Sequence, residues 1–284
     1  MLDNVSLLLK ACENLNISYE ILHPAENLVK IKLNSKQHYF CNYSTPLLNQ
    51  AVAHLIKDKE YTYHVLNKKV KLPRTVGFLS PFCDTKYQIY LKFPTIQDIV
   101  LEIKENFEAP VIIKRNSGAS GHNVFLCENI NEIETALKEI FNINNKYDYV
   151  ALAQEFIHIK SEYRAVFLNK ELVLLYEKDI TDAKFVGNLS PLHWDGAKAK
   201  YINDPQILSE IANFAQPVFE ELDLDYGGFD IVLDRDNQYW LIEINSHPNF
   251  GIFIRDNGEE YVLRIFEKML ISLASKEKFT PSVS

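Results

Sequence analysis

The sequence predicts an α+β fold built largely from antiparallel hairpins, and three observations carry that prediction. GGFDIVLDRDNQYWLIEINSHP (227–248) holds two alternating apolar runs around a polar turn, the pattern of a hairpin. EYRAVFLNKELVLLYEK (162–178) repeats the pattern around an Asn-Lys turn. Between such hairpins lie helical stretches, but they do not follow every strand as the crossovers of a Rossmann sheet would.

The elements follow in order. Residues 3–16 carry apolar positions at helical spacing (Val5, Leu8, Leu9, Cys12, Leu15). Strand-like alternation follows around NLVKIKL and HYF. Residues 45–70 read as helical, through Leu47, Leu48, Ala51 and Leu55 and then Tyr61, Val65 and Leu66. Pro73 in KLPRT ends that stretch and suggests a domain boundary near residue 74. TIQDIVLEIKENF then predicts a helix, APVIIKR a strand, SGASG a turn and HNVFLCE a strand. NINEIETALKEIFN is a well-marked helix, with Ile133, Leu137, Ile140 and Phe141 on one face, and YVALAQEFI is a strand. Beyond the 162–178 hairpin, a helix pair is expected over roughly 204–222, then the 227–248 hairpin and a closing helix over 258–276.

The 284 residues are 47% hydrophobic and 24% charged, enough for large buried cores in one to three domains. A net charge of −8 argues against nucleic-acid or anionic-membrane binding over the whole surface. Cys12, Cys41, Cys83 and Cys127 are scattered, with no CxxC pair or Cys/His cluster to suggest zinc. They read as reduced thiols of a cytoplasmic protein. The start, MLDNVSLLLKACENLN, lacks the features of a signal peptide, and no apolar run approaches a membrane span.

The 227–248 hairpin places Asp230 in one strand and Glu243 and Asn245 in the other. If Asp234 pairs with Tyr239 across the turn, Asp230 faces Glu243, ~4.5–5.5 Å away on one face. Asn245 shares that face by strand alternation. Two like charges so close require protonation, cationic partners or a metal. Oxygen donors with an open side suit Mg²⁺. A solvent-facing hairpin edge whose acids meet nearby Lys or Arg explains the pattern as well.

Three further stretches carry chemistry. PVIIKRNSGASGHNVFL (110–126) sets Lys114 before a Gly/Ser turn, whose successive N–H groups can wrap phosphate oxygens. It is neither a Walker A loop nor GxGxxG, and a plain Gly-rich hairpin turn fits too. In AQEFIHIKSEYRAVF, Glu162 and Arg164 share a strand face, where Arg can clamp an anion or simply pair with Glu162. In IKDKEYTYHVL, Lys57 and Lys59 flank Asp58 at a helix start, which is also what a solvated surface looks like.

Taken in order, these segments resemble the carboxylate–amine ligases of the ATP-grasp superfamily. The order is Asp58-Lys59, Pro73-Arg74-Thr75, Pro110-Val-Ile-Ile-Lys114 with its Ser/Gly turn, Gln154-Glu-Phe-Ile157 with Glu162 and Arg164, and GFDIV…YWLIEINSHP. The likeness is to glutathione synthetase, RimK-type ribosomal-protein glutamate ligases and the ATP-grasp part of cyanophycin synthetase, over roughly residues 18–254. It implies two α+β subdomains sandwiching ATP, 75–153 as the central lid subdomain and 154–284 as the C-terminal one. Residues 1–74 would be a short N-terminal segment, a truncated or replaced version of the family's leading domain.

By that resemblance Lys59 and Lys114 hold ATP phosphates under a lid formed by Ser117, Gly118, Ala119, Ser120 and Gly121. Gln154, Glu155, Phe156 and Ile157 border adenine, largely through the backbone of Glu155 and Ile157, and Glu162 binds the ribose. Asp230, Glu243 and Asn245 carry Mg²⁺, with Mn²⁺ as a substitute. Arg164 and Lys178 neutralise an acyl phosphate, Lys178 standing where relatives often have Arg, and Asn188 closes near the phosphates. The implied reaction joins a carboxylate to an amine, on amino acids, small peptides or a protein acceptor, with a homo-oligomer left open. An ATP-grasp phosphotransferase and a non-catalytic nucleotide-binding module are the rivals. His247 and Asn249 depart from the family pattern, either as substrate contacts or, for His247, as an ordinary turn histidine. On sequence alone, Asp230→Asn and Glu243→Gln should abolish ATP turnover and spare the fold.

Overall fold

The computed structural model describes residues 1–118, 121–142 and 149–276. Three antiparallel sheets organise them. The first is formed by β1 (Tyr19–Ile21), β2 (Leu28–Leu33) and β3 (Lys36–Cys41), in that order. Val29, Ile31 and Leu33 alternate to its buried face and meet Leu8 and Cys12 of helix α1 (Asp3–Asn14). β1 has too few alternating positions to be marked in the sequence.

The helical stretch expected over 45–70 is two helices, α2 (Gln50–Lys57) and α3 (Lys59–Leu66). Asp58 separates them in extended geometry (φ −86°, ψ 109°), and its carboxylate accepts the Tyr61 N–H at 2.8 Å. An Asp that caps the second helix cannot continue the first. The break leaves Lys59 in the opening turn of α3.

The central sheet has the order β4–β7–β5–β6, from β4 (Thr75–Leu79), β5 (Val111–Arg115), β6 (Val124–Cys127) and β7 (Val150–Glu155). Phe78, Ile113, Ala151 and Ala153 point to one face and pack on α4 (Ile96–Asn106) and α5 (Ile130–Ile140). A Thr95–Asp98 capping box opens α4, and Asn129 caps α5. The opposite face presents Thr75, Ile112, Lys114 and Gln154, because strand side chains alternate.

The third sheet runs β10–β9–β8–β11–β12. Its strands are β8 (Ile159–Leu168), β9 (Glu171–Asp179), β10 (Lys198–Tyr201), β11 (Tyr226–Asp234) and β12 (Tyr239–Asn245). Asn169 and Lys170, at φ 49° and 68°, make the two-residue turn between β8 and β9. Tyr163, Ala165, Phe167, Phe229 and Ile231 face helix α6 (Pro205–Glu221). That helix was expected as a pair; it is one 17-residue helix that passes through Pro217. Ala215, Val218 and Phe219, buried on either side of Pro217, fasten it to the sheet and offset the lost hydrogen bond.

The other face of this sheet is divided. Val166, Leu168, Leu174 and Tyr226 are covered by α1 and by two closing helices, α7 (Gly251–Asn257) and α8 (Glu260–Lys276). The sequence suggested α8 alone; Gly258, at φ 82°, ends α7 before it. Further along the same strands, Glu162, Arg164 and Asp230 line a cavity shared with the central sheet. Among the described residues, no helix is long and apolar enough to cross a membrane.

Candidate functional site

The 227–248 hairpin pairs Asp230 with Glu243 directly, and the route to that register differs from the expected one. At the turn, Leu233 pairs with Tyr239, one residue out of the anticipated step. Asp234 closes the turn, its N–H donating to the Gln238 carbonyl at 3.0 Å, while its side chain accepts from Asp236 N, Gln238 N and the Trp240 indole at 2.9, 2.8 and 2.7 Å. A bulge at Ile242, where Ile231 pairs with Leu241 but Asp230 with Glu243, restores the register. Phe229 and Ile231 serve the α6 core, so Asp230 between them points to the other face. Asn245 donates to Glu243 Oε1 at 3.1 Å, bringing the three polar side chains together.

Asp230 is buried, yet not alone. Arg164, its cross-strand partner, grips it bidentately, Nε to Oδ1 at 2.5 Å and Nη2 to Oδ2 at 3.0 Å. Lys178 stands 3.2 Å from Oδ1 and also pairs with Glu162. Two cations thus balance two acids, with Lys178 and Asp230 buried and Arg164 and Glu162 partly so. Burial alone would push the Asp230 carboxyl up; Arg164 and Lys178 outweigh it and hold it well below the usual carboxylate range. Burial likewise pushes Lys178 down, but Asp230 and Glu162 carry it up to about 12.

Across from this network stands Lys114, buried on β5, with its ammonium donating to Gln154 Oε1 at 2.8 Å. Burial first, and then the ammonium of Lys59, lowers it to about 7, partly opposed by Glu243. Lys59 reaches in from α3, donating to the Gly118 carbonyl at 2.7 Å and lying 3.5 Å from Glu243 Oε2. Asn116 ties this corner together, taking the Glu60 N–H at 3.0 Å and giving to Asp58 Oδ2 at 2.6 Å. Nothing in the sequence singles out Asn116; only the fold brings the Asp58 break beside it.

The two sheets enclose a cavity of about 560 Å³. Ile112, Val124, Phe156, Ile157, Val232 and Ile242 supply apolar lining, and Lys59, Lys114, Arg164, Lys178, Asp230 and Glu243 the charged lining. Glu162, Gln154, Glu155 and Asn245 also line it. Glu155 is engaged elsewhere too: its N–H donates to the Arg74 carbonyl at 2.9 Å and its carboxylate accepts the Arg74 N–H at 3.0 Å. His247 is on the wall, its Nε2 2.8 Å from Ser44 Oγ, with burial and Lys57 lowering its pKa.

Of the Gly/Ser turn, Gly118 and Gly121 line the cavity, whereas Ser117 and Asn188 do not; Ala119 and Ser120 fall outside the described residues. Gly121 sits at φ 69°, and a Cβ there would come within 2.0 Å of Asn188 Oδ1. That oxygen accepts the Ser190 N–H at 2.8 Å, and the Asn188 carbonyl accepts the Trp194 indole at 2.5 Å. Gly121→Ala must therefore strain the backbone and displace Asn188, at about 1–3 kcal/mol. We expect it to melt below wild type and to change the tryptophan fluorescence, which an unaltered Trp194 environment would contradict.

The model of the RimK-like ATP-grasp domain matches residues 81–269. The chain belongs to that family. The match covers the strands that carry Lys114, Arg164, Asp230 and Glu243, and leaves Lys59 and Pro73-Arg74-Thr75 on its N-terminal side. Solved ATP-grasp structures have the same fold. A bifunctional glutathione synthetase from Pasteurella multocida superimposes at TM-score 0.57, with 14% identity, over 96% of this chain and 44% of that one. The D-alanine–D-alanine ligase of Bacillus anthracis gives 0.55, with 16% identity, over 78% of this chain and 70% of that one. Among curated proteins, the uncharacterized protein MG012 of Mycoplasma genitalium is 28% identical over 162 residues, 55% of this chain and 50% of its own. Its homolog in Mycoplasma pneumoniae is 25% identical over 154 residues. The chain spans about half the length of the curated relatives it matches.

Proposed function

We propose that the chain is an ATP-dependent ligase that joins a carboxylate to an amine. The observation that carries this reading is the convergence of Lys114, Asp230, Glu243 and Asn245 from two facing sheets, and of Lys59 from α3, onto one cavity. Family membership and the glutathione synthetase and D-alanine ligase likenesses support it. The expected regions 1–74, 75–153 and 154–284 would serve as N-terminal segment, central lid and C-terminal subdomain, with β7 carrying the central sheet on through Glu155.

The donor set fits a magnesium ion. Glu243 offers carboxylate oxygens, Asp230 keeps the lone-pair site on Oδ2 that Arg164 leaves, and Asn245, whose amide nitrogen is turned to Glu243, has its oxygen left to ligate. When bound, the ion would supply positive charge at the phosphoryl oxygens.

The residues of the chain then divide the work. Adenine sits against Phe156, Ile157 and the apolar lining, with Glu162 near the ribose. Lys59 and Lys114 meet the phosphates, a task for which Lys114 regains its proton. The substrate carboxylate attacks the γ-phosphorus in line, the bond to ADP breaks, and an acyl phosphate forms. Arg164 and Lys178, already oriented and desolvated, offset the negative charge without reorganisation. The amine attacks the acyl carbon, phosphate leaves, and an amide results. Gly118 and Gly121, which line the cavity, would help keep water from the acyl phosphate, with Asn188 packed behind Gly121. Amino acids or small peptides are the substrate class, and a peptide or protein acceptor belongs to the same proposal.

A phosphate-release screen of paired amino acids and dipeptides with ATP and Mg²⁺, followed by mass spectrometry, tests the reaction. The expected product is an amide, lighter than its reactants by one water. A stable phosphate ester would instead identify a phosphotransferase.

A further inference from the structure

We propose that Thr75 is a positioning residue for nucleotide binding, acting by fixing which end of the Gln154 amide faces Lys114. This rests on the nucleotide reading of the cavity. Thr75, Gln154 and Lys114 are all buried on the cavity face of the central sheet, and Thr75 pairs directly with Gln154 across β4 and β7. The hydroxyl of Thr75 donates to the Pro73 carbonyl at 2.9 Å. Its only proton is thereby committed, so towards Gln154 the oxygen can only accept. Gln154 answers with its amide nitrogen, Nε2 to Thr75 Oγ1 at 2.8 Å. The carbonyl end must then point the other way, where Oε1 receives the Lys114 ammonium at 2.8 Å.

Thr75 fixes the direction at its end, and with Lys114 protonated, as phosphate requires it, each link has one permitted direction. A protonated lysine offers donors only, so a reversed amide would set donor against donor at Lys114 and again leave Thr75 unanswered. Pro73, Thr75, Gln154 and Lys114 form a relay that holds the buried Lys114 side chain over the cavity, with an acceptor ready for the ammonium that phosphate requires. Thr75 touches none of the cavity's contents, since its reach ends at Gln154. Without its acceptor, the Gln154 amide nitrogen is buried unpaired, the amide can turn, and Lys114 loses its anchor. The Pro-Arg-Thr segment thereby gains a task that its sequence alone did not suggest.

A double-mutant cycle read by binding of mant-ATP with Mg²⁺ tests the relay, with melting curves to confirm folding. Thr75→Val should weaken binding about tenfold, and Thr75→Ser, which keeps the hydroxyl, should stay within about twofold of wild type. In a Gln154→Leu background, Thr75→Val should add less than about a twofold loss, because its effect passes through that amide. The side-chain amide resonance of Gln154, assigned by its disappearance in Gln154→Leu, should be protected from exchange in wild type and Thr75→Ser but not in Thr75→Val. Should Thr75→Val not fold, Thr75→Ala carries the same expectations. Independent, multiplying losses overturn the proposal, as does a Thr75→Val protein that binds like wild type. Wild type with no affinity for mant-ATP fails differently, removing the nucleotide reading itself and this role with it.

Discussion

Asp230→Asn is expected to lose stability as well as activity. Sequence reasoning suggested that this substitution would spare the fold, but the Arg164 pair changes that expectation. Asp230 is the shared counter-ion of Arg164 and Lys178, and all three side chains are buried or nearly so. An amide of the same shape leaves one negative charge against two buried cations. Breaking a buried pair in this way costs about 3–5 kcal/mol. For a chain of this size the melting temperature should fall on the order of 10 °C. The folded Asp230 titrates below its ordinary value, so its stabilisation is complete above the usual carboxylate range and disappears only in strong acid. The loss in Asp230→Asn should therefore be the same at pH 6 and pH 8 in calorimetry. Glu243→Gln is the contrasting variant. Its side chain is a quarter exposed and its cation, Lys59, is 3.5 Å away, so it should melt close to wild type. Turnover should still fall by about 10²-fold or more. Equal melting of the two variants would refute the counter-ion role of Asp230.

Lys114→Met should do the opposite, raising stability while removing nucleotide binding. Lys114 is buried and held at about 7, against an ordinary 10.5. Between those values the unfolded chain binds a proton that the folded chain does not. Wild-type stability must then fall as pH drops from 10.5 to about 7 and stay level below. The penalty has an upper bound of about 5 kcal/mol, and Gln154 Oε1 returns about 1 kcal/mol of it as the lysine's acceptor. Methionine carries no such penalty. Lys114→Met should melt above wild type at pH 7, with the advantage shrinking towards pH 10. Its affinity for ATP should drop by roughly 100-fold, the cost of leaving phosphate without a buried cation. A variant less stable than wild type at pH 7 would mean that Lys114 is paid for by contacts beyond those described.

Much of the site was legible because its residues interrupt patterns. Asp230 and Glu243 break apolar strands, and Lys114 ends one before a Gly/Ser turn. A strand needing one face for a core has no reason to bury acids unless its other face does something else. The helix signals of α1, α4 and α5 were equally direct, since their apolar spacing is set by a single covered stripe. What escaped was set by tertiary contacts. The bulge at Ile242 depends on how Asp234 folds into its turn, which no local propensity records. α6 runs through Pro217 because the sheet beneath holds both sides of it. Gln154 was expected at the adenine; what the fold shows is its side chain accepting from Lys114, visible only once β5 and β7 are paired. The Asp58 break was hidden for a related reason: the apolar spacing continues across it while the backbone does not.

Photolabelling with 8-azido-ATP and Mg²⁺, with the modified peptide sequenced, tests most directly that the base lies between the two sheets. Label should appear on the segment from Gln154 to Ile159 or on Val232 to Ile242, and excess ATP should suppress it. Label confined to the first sheet or to α8, or label that ATP does not displace, would contradict a nucleotide site between these sheets.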